Sequence, residues 1–173
     1  MTVLDPCIPP ASPQAVGILG GMGPTAGAEF ARLFVQACAQ HLQHQGRPVT
    51  DQAFPEHWLV QVPVPDRTQA LFSPGHDAQQ PLEPMAQALG RLAALGVKAV
   101  AIACNTAHAW HASLQARFPH IDVLHVAQEV ALALQAQGVQ DVALLATEGS
   151  YRVGVYEQAL AAAGLRCHLP SEP

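Results

Sequence analysis

With 173 residues, half of them hydrophobic and 12% charged, the chain carries enough apolar surface for one ordinary core or the start of two, and too little charge for an unfolded polymer. Its net charge is −5, with one lysine, Lys98, among eight basic residues, so nucleic acid is not an expected partner, because phosphate binding needs clustered positive charge. No apolar run approaches the roughly eighteen residues that cross a bilayer, and no membrane contact is expected.

Residues 1–14 are rich in proline and have no basic residue ahead of an apolar stretch, which predicts a disordered tail and not a signal peptide. Without an export signal, the cysteines at 7, 38, 104 and 167 are expected as free thiols in the cytoplasm. Ala15 to Leu19 predicts a short strand that runs into Gly20-Gly21-Met22-Gly23-Pro24. A helix follows, since Ala26, Phe30, Leu33, Phe34, Ala37 and Cys38 recur at helical spacing, and that stripe places Cys38 in the core. The spacing Gly21-x-Gly23-x-x-x-Gly27 misses the dinucleotide fingerprint by one residue, and no Gly-Lys-Ser/Thr follows. The turn therefore reads as a tight connection or as backbone N–H groups open to a small anion, and no cofactor is expected.

His41 to Phe54 is polar and reads as a loop. His57 to Val62 predicts a second strand, ended by Pro63 and Pro65, with Asp66-Arg67-Thr68 at its carboxyl end. Arg67 suits a bidentate pair with a carboxylate; the plainer alternative pairs it with Asp66 or Asp77. Pro74 to Pro84 predicts a flexible connection that can act as a lid. Leu82, Met85, Leu89, Leu92 and Leu95 form the next amphipathic helix, stopped by Gly96.

From Val97 the chain reads Val-Lys-Ala-Val-Ala-Ile-Ala-Cys-Asn-Thr-Ala-His-Ala-Trp. The first half suits a strand buried on both faces, and the second a helix capped by Asn105 or Thr106. Cys104 falls at the junction, on the edge of the sheet where α/β proteins bind ligands. Unpaired N–H groups and the positive end of a helix dipole there favour thiolate and can hold a substrate carboxylate. Cys104, His108 and His111 also share a helix face at i, i+4 and i+7, a spacing open to zinc, but helical histidines are commonly just exposed and no metal is expected.

Ile121 to Val126 predicts a fourth strand, Gln128 to Gln137 a helix, Asp141 to Ala146 a fifth strand, Tyr151 to Ala163 a helix, and Leu165 to Leu169 the start of one more strand. Strands and helices alternate without a break, so the fold expected is α/β, a parallel sheet with flanking helices. Val142-Ala-Leu-Leu-Ala-Thr-Glu-Gly faintly echoes Val16-Gly-Ile-Leu-Gly-Gly-Met-Gly, as if a second lobe were beginning. The organisation predicted is a complete first lobe over 15–138 and an incomplete second, pseudo-symmetric lobe over 139–173.

Taken together, Gly20-Gly21-Met22-Gly23-Pro24, Pro65-Asp66-Arg67-Thr68, Ala103-Cys104-Asn105-Thr106-Ala107-His108 and Leu145-Ala146-Thr147-x-x-Ser150 resemble the aspartate/glutamate racemase family, in particular its aspartate racemase branch. The resemblance implies a cofactor-independent isomerase of two similar α/β lobes, with one cysteine from each lobe facing opposite sides of an amino-acid substrate's α-carbon. Carried across, it implies Cys104 as the first-lobe acid/base. Met22 and Gly23 would line the pocket, Arg67 would hold a carboxylate, and Asn105, Thr106 and Thr147 would bind the substrate's carboxylate and amino groups. The family's second cysteine, in a Cys-Thr-Glu-like motif, has no counterpart here, and Cys167 opens a strand instead of closing one. The chain therefore reads as a racemase truncated in its second lobe that does not racemise on its own. The alternative is a non-catalytic carboxylate-binding remnant or a fragment needing a partner. An unfinished apolar lobe also predicts a possible homodimer.

Overall fold

A computed structural model describes residues 14–73 and 79–170. The expected tail, apart from Gln14, and the first half of the expected lid lie outside the described residues. Six strands and seven α-helices alternate through the rest: β1 (Val16–Gly20), α1 (Pro24–His44), β2 (His57–Gln61), α2 (Arg67–Phe72), α3 (Leu82–Ala94), β3 (Ala99–Ile102), α4 (His111–Arg117), β4 (Asp122–Leu124), α5 (Val126–Ala136), β5 (Asp141–Ala143), α6 (Glu148–Val153), α7 (Val155–Ala162) and β6 (Arg166–His168). The first four strands form one parallel sheet in the order β2-β1-β3-β4, and β5 pairs with β6, again in parallel, as a separate two-stranded sheet. This is the α/β architecture that the alternation predicts.

The small apolar residues of β1 and β3 make the four-stranded sheet a core. Ile18, Leu19 and Val100 have no exposed surface, and α3 lays Met85, Leu89 and Leu92, with none either, in one cluster with Leu19 and Val100. Gly17 allows this, because a Cβ there would sit 2.9 Å from the Leu92 side chain. The β1–α1 turn depends on Gly21. Its φ is +97°, and a side chain would meet the Val62 carbonyl oxygen at 2.2 Å, so the turn folds tightly onto the strand beside it.

Four expectations need correction. Helix α1 runs on through His44, because no glycine or proline interrupts it before Gly46. Its apolar stripe is not core: only Gly27 and Leu42 are buried, Leu33 is 48% exposed and Cys38 is half-buried. The helix approaches the sheet through Gly27, where a Cβ would lie 3.2 Å from the Gly20 Cα, and β2 beneath it is an edge strand with Trp58 and Leu59 exposed. After Cys104 the chain makes a 3₁₀ turn over Thr106–Trp110 before α4 begins, instead of one continuous α-helix. The helix expected over Tyr151 to Ala163 is two, α6 and α7, divided where Gly154 adopts φ +67°. Among the described residues no helix is long and apolar enough to cross a membrane.

Candidate functional site

The carboxyl ends of β1, β2 and β3 open into a cavity of about 790 Å³ that the second lobe lines from the far side. Met22, Arg67, Cys104, Asn105 and Thr106 line it from the first lobe, and Leu145, Ala146, Thr147 and Ser150 from the second. Six of the seven residues singled out in the sequence thus meet in one space. The seventh, Gly23, is the exposed residue before α1, with open space around it, and lies outside the cavity lining.

Cys104 lies two residues past the end of β3 and is half-buried. Its N–H donates to the Ile102 carbonyl at 2.9 Å and its carbonyl accepts from His108 Nδ1 at 2.9 Å, so the main chain on both sides of the thiol is fixed. Neither Asn105 nor Thr106 caps a helix with its side chain. Both are diverted to the second lobe instead. Asn105 Oδ1 accepts from the Tyr156 hydroxyl at 3.0 Å. Thr106 Oγ1 lies 3.3 Å from Thr147 Oγ1 and 3.4 Å from Ser150 Oγ, and those two hydroxyls are 3.1 Å apart. Gly149 makes this approach possible, since a Cβ there would stand 3.1 Å from both Thr106 Cγ2 and Thr68 Oγ1.

Arg67 ties the glycine turn to α2. Its Nη1 donates to the Val64 and Pro65 carbonyls at 3.1 and 3.2 Å, and its Nη2 to the Met22 carbonyl at 3.1 Å. Pairing with Asp66 does not occur, because the Asp66 carboxylate accepts from the Gln69 N–H at 2.8 Å and caps α2; Asp77 lies outside the described residues. Arg67 keeps Nε–H and one Nη2–H without a protein partner among the described residues, two donors of the kind that grip a carboxylate.

Several contributors escaped sequence reasoning. Tyr151 accepts from the Ala146 N–H at 2.8 Å and donates to the Leu144 carbonyl at 3.0 Å, which pins the loop carrying Thr147. Arg152 of α6 sits 4.3 Å from the centre of the Phe72 ring of α2, a second contact between lobes. Burial pushes the Tyr156 phenol up, which keeps it a donor to Asn105. Their common signal was position just after the Thr147 turn, which only the tertiary contact gives meaning.

Among the described residues no three His, Cys, Asp or Glu side chains lie so as to hold a metal ion. The histidines of the face whose spacing is open to zinc are engaged elsewhere. His111 donates through Nε2 to the Val123 carbonyl, and both ring nitrogens of His108 are hydrogen-bonded. The thiols of Cys38 and Cys167 are pushed up by burial, with the Glu157 charge adding to the effect at Cys167, and neither lines the cavity.

The Asp/Glu/hydantoin racemase family matches the chain over residues 19–173. Among solved structures, the chain is similar to an aspartate racemase from Picrophilus torridus, at 26% identity and a TM-score of 0.73, over 91% of this chain and 63% of that one. It is also similar to an aspartate racemase homologue from Pyrococcus horikoshii, at 19% identity and a TM-score of 0.67, over 92% and 65% of the two chains. A glutamate racemase from Campylobacter jejuni shares the fold at 18% identity and a TM-score of 0.58, over 90% and 56%. The chain thus spans less than two thirds of the length of these relatives.

Proposed function

The chain belongs to the Asp/Glu/hydantoin racemase family, and from that premise we propose that its inter-lobe cavity takes a dicarboxylic α-amino acid of the aspartate type, with Cys104 exchanging the proton on the α-carbon. The observation that carries this reading is the meeting of Cys104, Arg67, Asn105, Thr106 and Thr147 around one cavity at the carboxyl edge of the sheet. Removing the α-proton leaves negative charge that spreads into the carboxylate as an enediolate. The largest available help is a set of donors held ready for that charge. The two unspent N–H groups of Arg67 and the amide of Asn105 serve as those donors. The Thr106, Thr147 and Ser150 hydroxyls, which donate or accept, suit the amino group and the second carboxylate.

Cys104 is the one cysteine of the described residues that lines the cavity. A single thiol takes the proton and returns one to the same face of the carbon, so this 173-residue chain exchanges the α-proton without inverting the centre and needs no cofactor. The test is L- and D-aspartate in D₂O, followed by proton NMR for the α-hydrogen and by chiral chromatography for configuration. Washout from one enantiomer with retention, abolished in Cys104→Ser, is the expected result, and inversion of both enantiomers overturns the single-thiol account. Thermal stabilisation by aspartate without washout leaves a carboxylate-binding domain, whereas neither effect overturns the reading entirely.

A further inference from the structure

We propose that His108 is a positioning residue for this site: its neutral imidazole, protonated on Nδ1, clamps the Cys104–Asn105 turn to the first residue of α5. The tautomer follows from what each nitrogen faces. Nδ1 lies 2.9 Å from the Cys104 carbonyl and 3.2 Å from the Asn105 carbonyl. Carbonyls only accept, so Nδ1 carries the hydrogen. Nε2 receives the Val126 N–H at 3.2 Å. That group only donates, so Nε2 holds a lone pair.

The consequences reach both sides of the cavity, since Cys104, Asn105 and Val126 all line it. Helix α5 has no side-chain cap of its own at His125, so the imidazole, from a separate turn, satisfies one of the N–H groups that a helix start leaves bare. The ring is 4% exposed, and a buried group bonded at both ends holds its neighbours to one geometry. It acts through the main chain beside the thiol. The clamp needs nothing from the proposed exchange reaction, but its value to a substrate rests on that reading.

Protonation undoes the clamp, because a second hydrogen on Nε2 would oppose the Val126 N–H. Burial pushes the His108 imidazole below its ordinary value, the carbonyl bonds at Nδ1 oppose that, and the nearby charges of His125 and His111 push it down further. Those two rings lie 5.2 and 6.1 Å away. The other elements packed on this turn bring Arg67 of α2, Glu148 and Arg152 of α6, and Tyr156 and Glu157 of α7, none of which is among the causes acting on His108. A group whose folded value is depressed contributes fully above its unfolded value, about 6.5 for imidazole. That contribution is lost as pH falls through and below 6.5.

The experiment uses the whole chain without substrate. Long-range ¹⁵N–¹H NMR of the imidazoles should show His108 as the Nδ1–H tautomer and still neutral just below about pH 6.5, where a free imidazole is mostly charged. The rate of Cys104 alkylation by iodoacetamide, resolved by peptide mass spectrometry, should change about tenfold in His108→Gln, as a small displacement of a reacting group does. Its pH profile should lose the acid-side step present in the native chain. An Nε2–H tautomer, titration at the ordinary value, or superimposable alkylation profiles in a folded variant each overturn the clamp. If His108→Gln does not fold, the NMR of the native chain decides alone. Failure of deuterium exchange with the expected His108 tautomer would remove the substrate reading and leave the clamp standing.

Discussion

Both sheets are parallel, and the parts of the chain built on them are held together very differently. The four-stranded sheet shares a cluster of eighteen buried apolar residues with α2, α3, α4 and the turn after Cys104, whereas the two-stranded sheet rests on Ala131, Leu160 and Leu165, one of which belongs to the connecting helix α5. A two-stranded sheet is marginal alone in water, and here Leu145 is 84% exposed beside it. The second lobe therefore draws its order from the first, through the Thr106–Thr147–Ser150 hydroxyls, the Tyr156–Asn105 bond and the Arg152–Phe72 contact. Of these residues, Asn105, Thr106, Thr147 and Ser150 also line the cavity, so the contacts that order the small lobe also shape part of the site.

A pair of leucine truncations should break or sharpen this contrast, and they carry the largest expected effect. Leu89 and Leu160 are 0% and 1% exposed, and removing a buried leucine side chain costs about 2–5 kcal/mol. Leu89→Ala should lower the stability of the whole chain, read as a shifted denaturation midpoint with loss of amide protection throughout. Leu160→Ala should instead strip protection from β5, α7 and β6 and leave β1 to β4 protected, because so small a core opens locally. Global unfolding of Leu160→Ala in a single step with β1 to β4 would show that the lobes are one cooperative unit.

A smaller effect is expected at the hydroxyl cluster. Thr106 is 8% exposed and reaches both Thr147 and Ser150. Thr106→Val keeps its shape and loses the hydrogen bonds, at a cost of about 1 kcal/mol. The loss should fall on α6, as faster amide exchange at 148–153, with the four-stranded sheet unchanged, and Thr106→Ser should restore the native rate. Unchanged exchange in α6 for Thr106→Val would mean that the hydroxyls touch without fastening the lobes.

What was legible in the sequence follows the same division. Strands β1 and β3, helix α3 and the glycine turn were readable because local pattern and burial agree there, as Leu82, Met85, Leu89 and Leu92 do on α3. That six of the proposed site residues would come together was readable because they follow strand ends. The stripe on α1 misled because its period is helical while its contact with the sheet is made by Gly27, which carries no hydrophobic signal. The caps expected of Asn105 and Thr106 failed because partners about forty to fifty residues away compete for their side chains. Nor could spacing alone show that His108 is committed to two carbonyls and an N–H and not to a ligand. In each case a tertiary contact overrode a local preference.

The smallest effect should come from the outer rim of the second sheet. Asp141 of β5 accepts from Arg166 of β6 at both carboxylate oxygens and lies 2.8 Å from His168 Nε2. Foremost the Arg166 hydrogen bond, and then that of His168, hold the Asp141 carboxyl far below the usual range. A depressed carboxyl contributes fully above its unfolded value of about 3.9 and loses that contribution as pH falls below it. His108 and His125, both pushed down mainly by burial, weaken the fold in a different window, below about 6.5. Comparing the native chain with Asp141→Asn separates the two. The stability advantage of the native chain over Asp141→Asn, read from the denaturation midpoint, should persist at pH 5 and shrink as pH falls below about 3.9. Added salt should shrink it too, since both partners face solvent. A difference that instead vanishes between pH 7 and 5 would trace the acid sensitivity of this edge to imidazoles and not to the carboxylate that pins it.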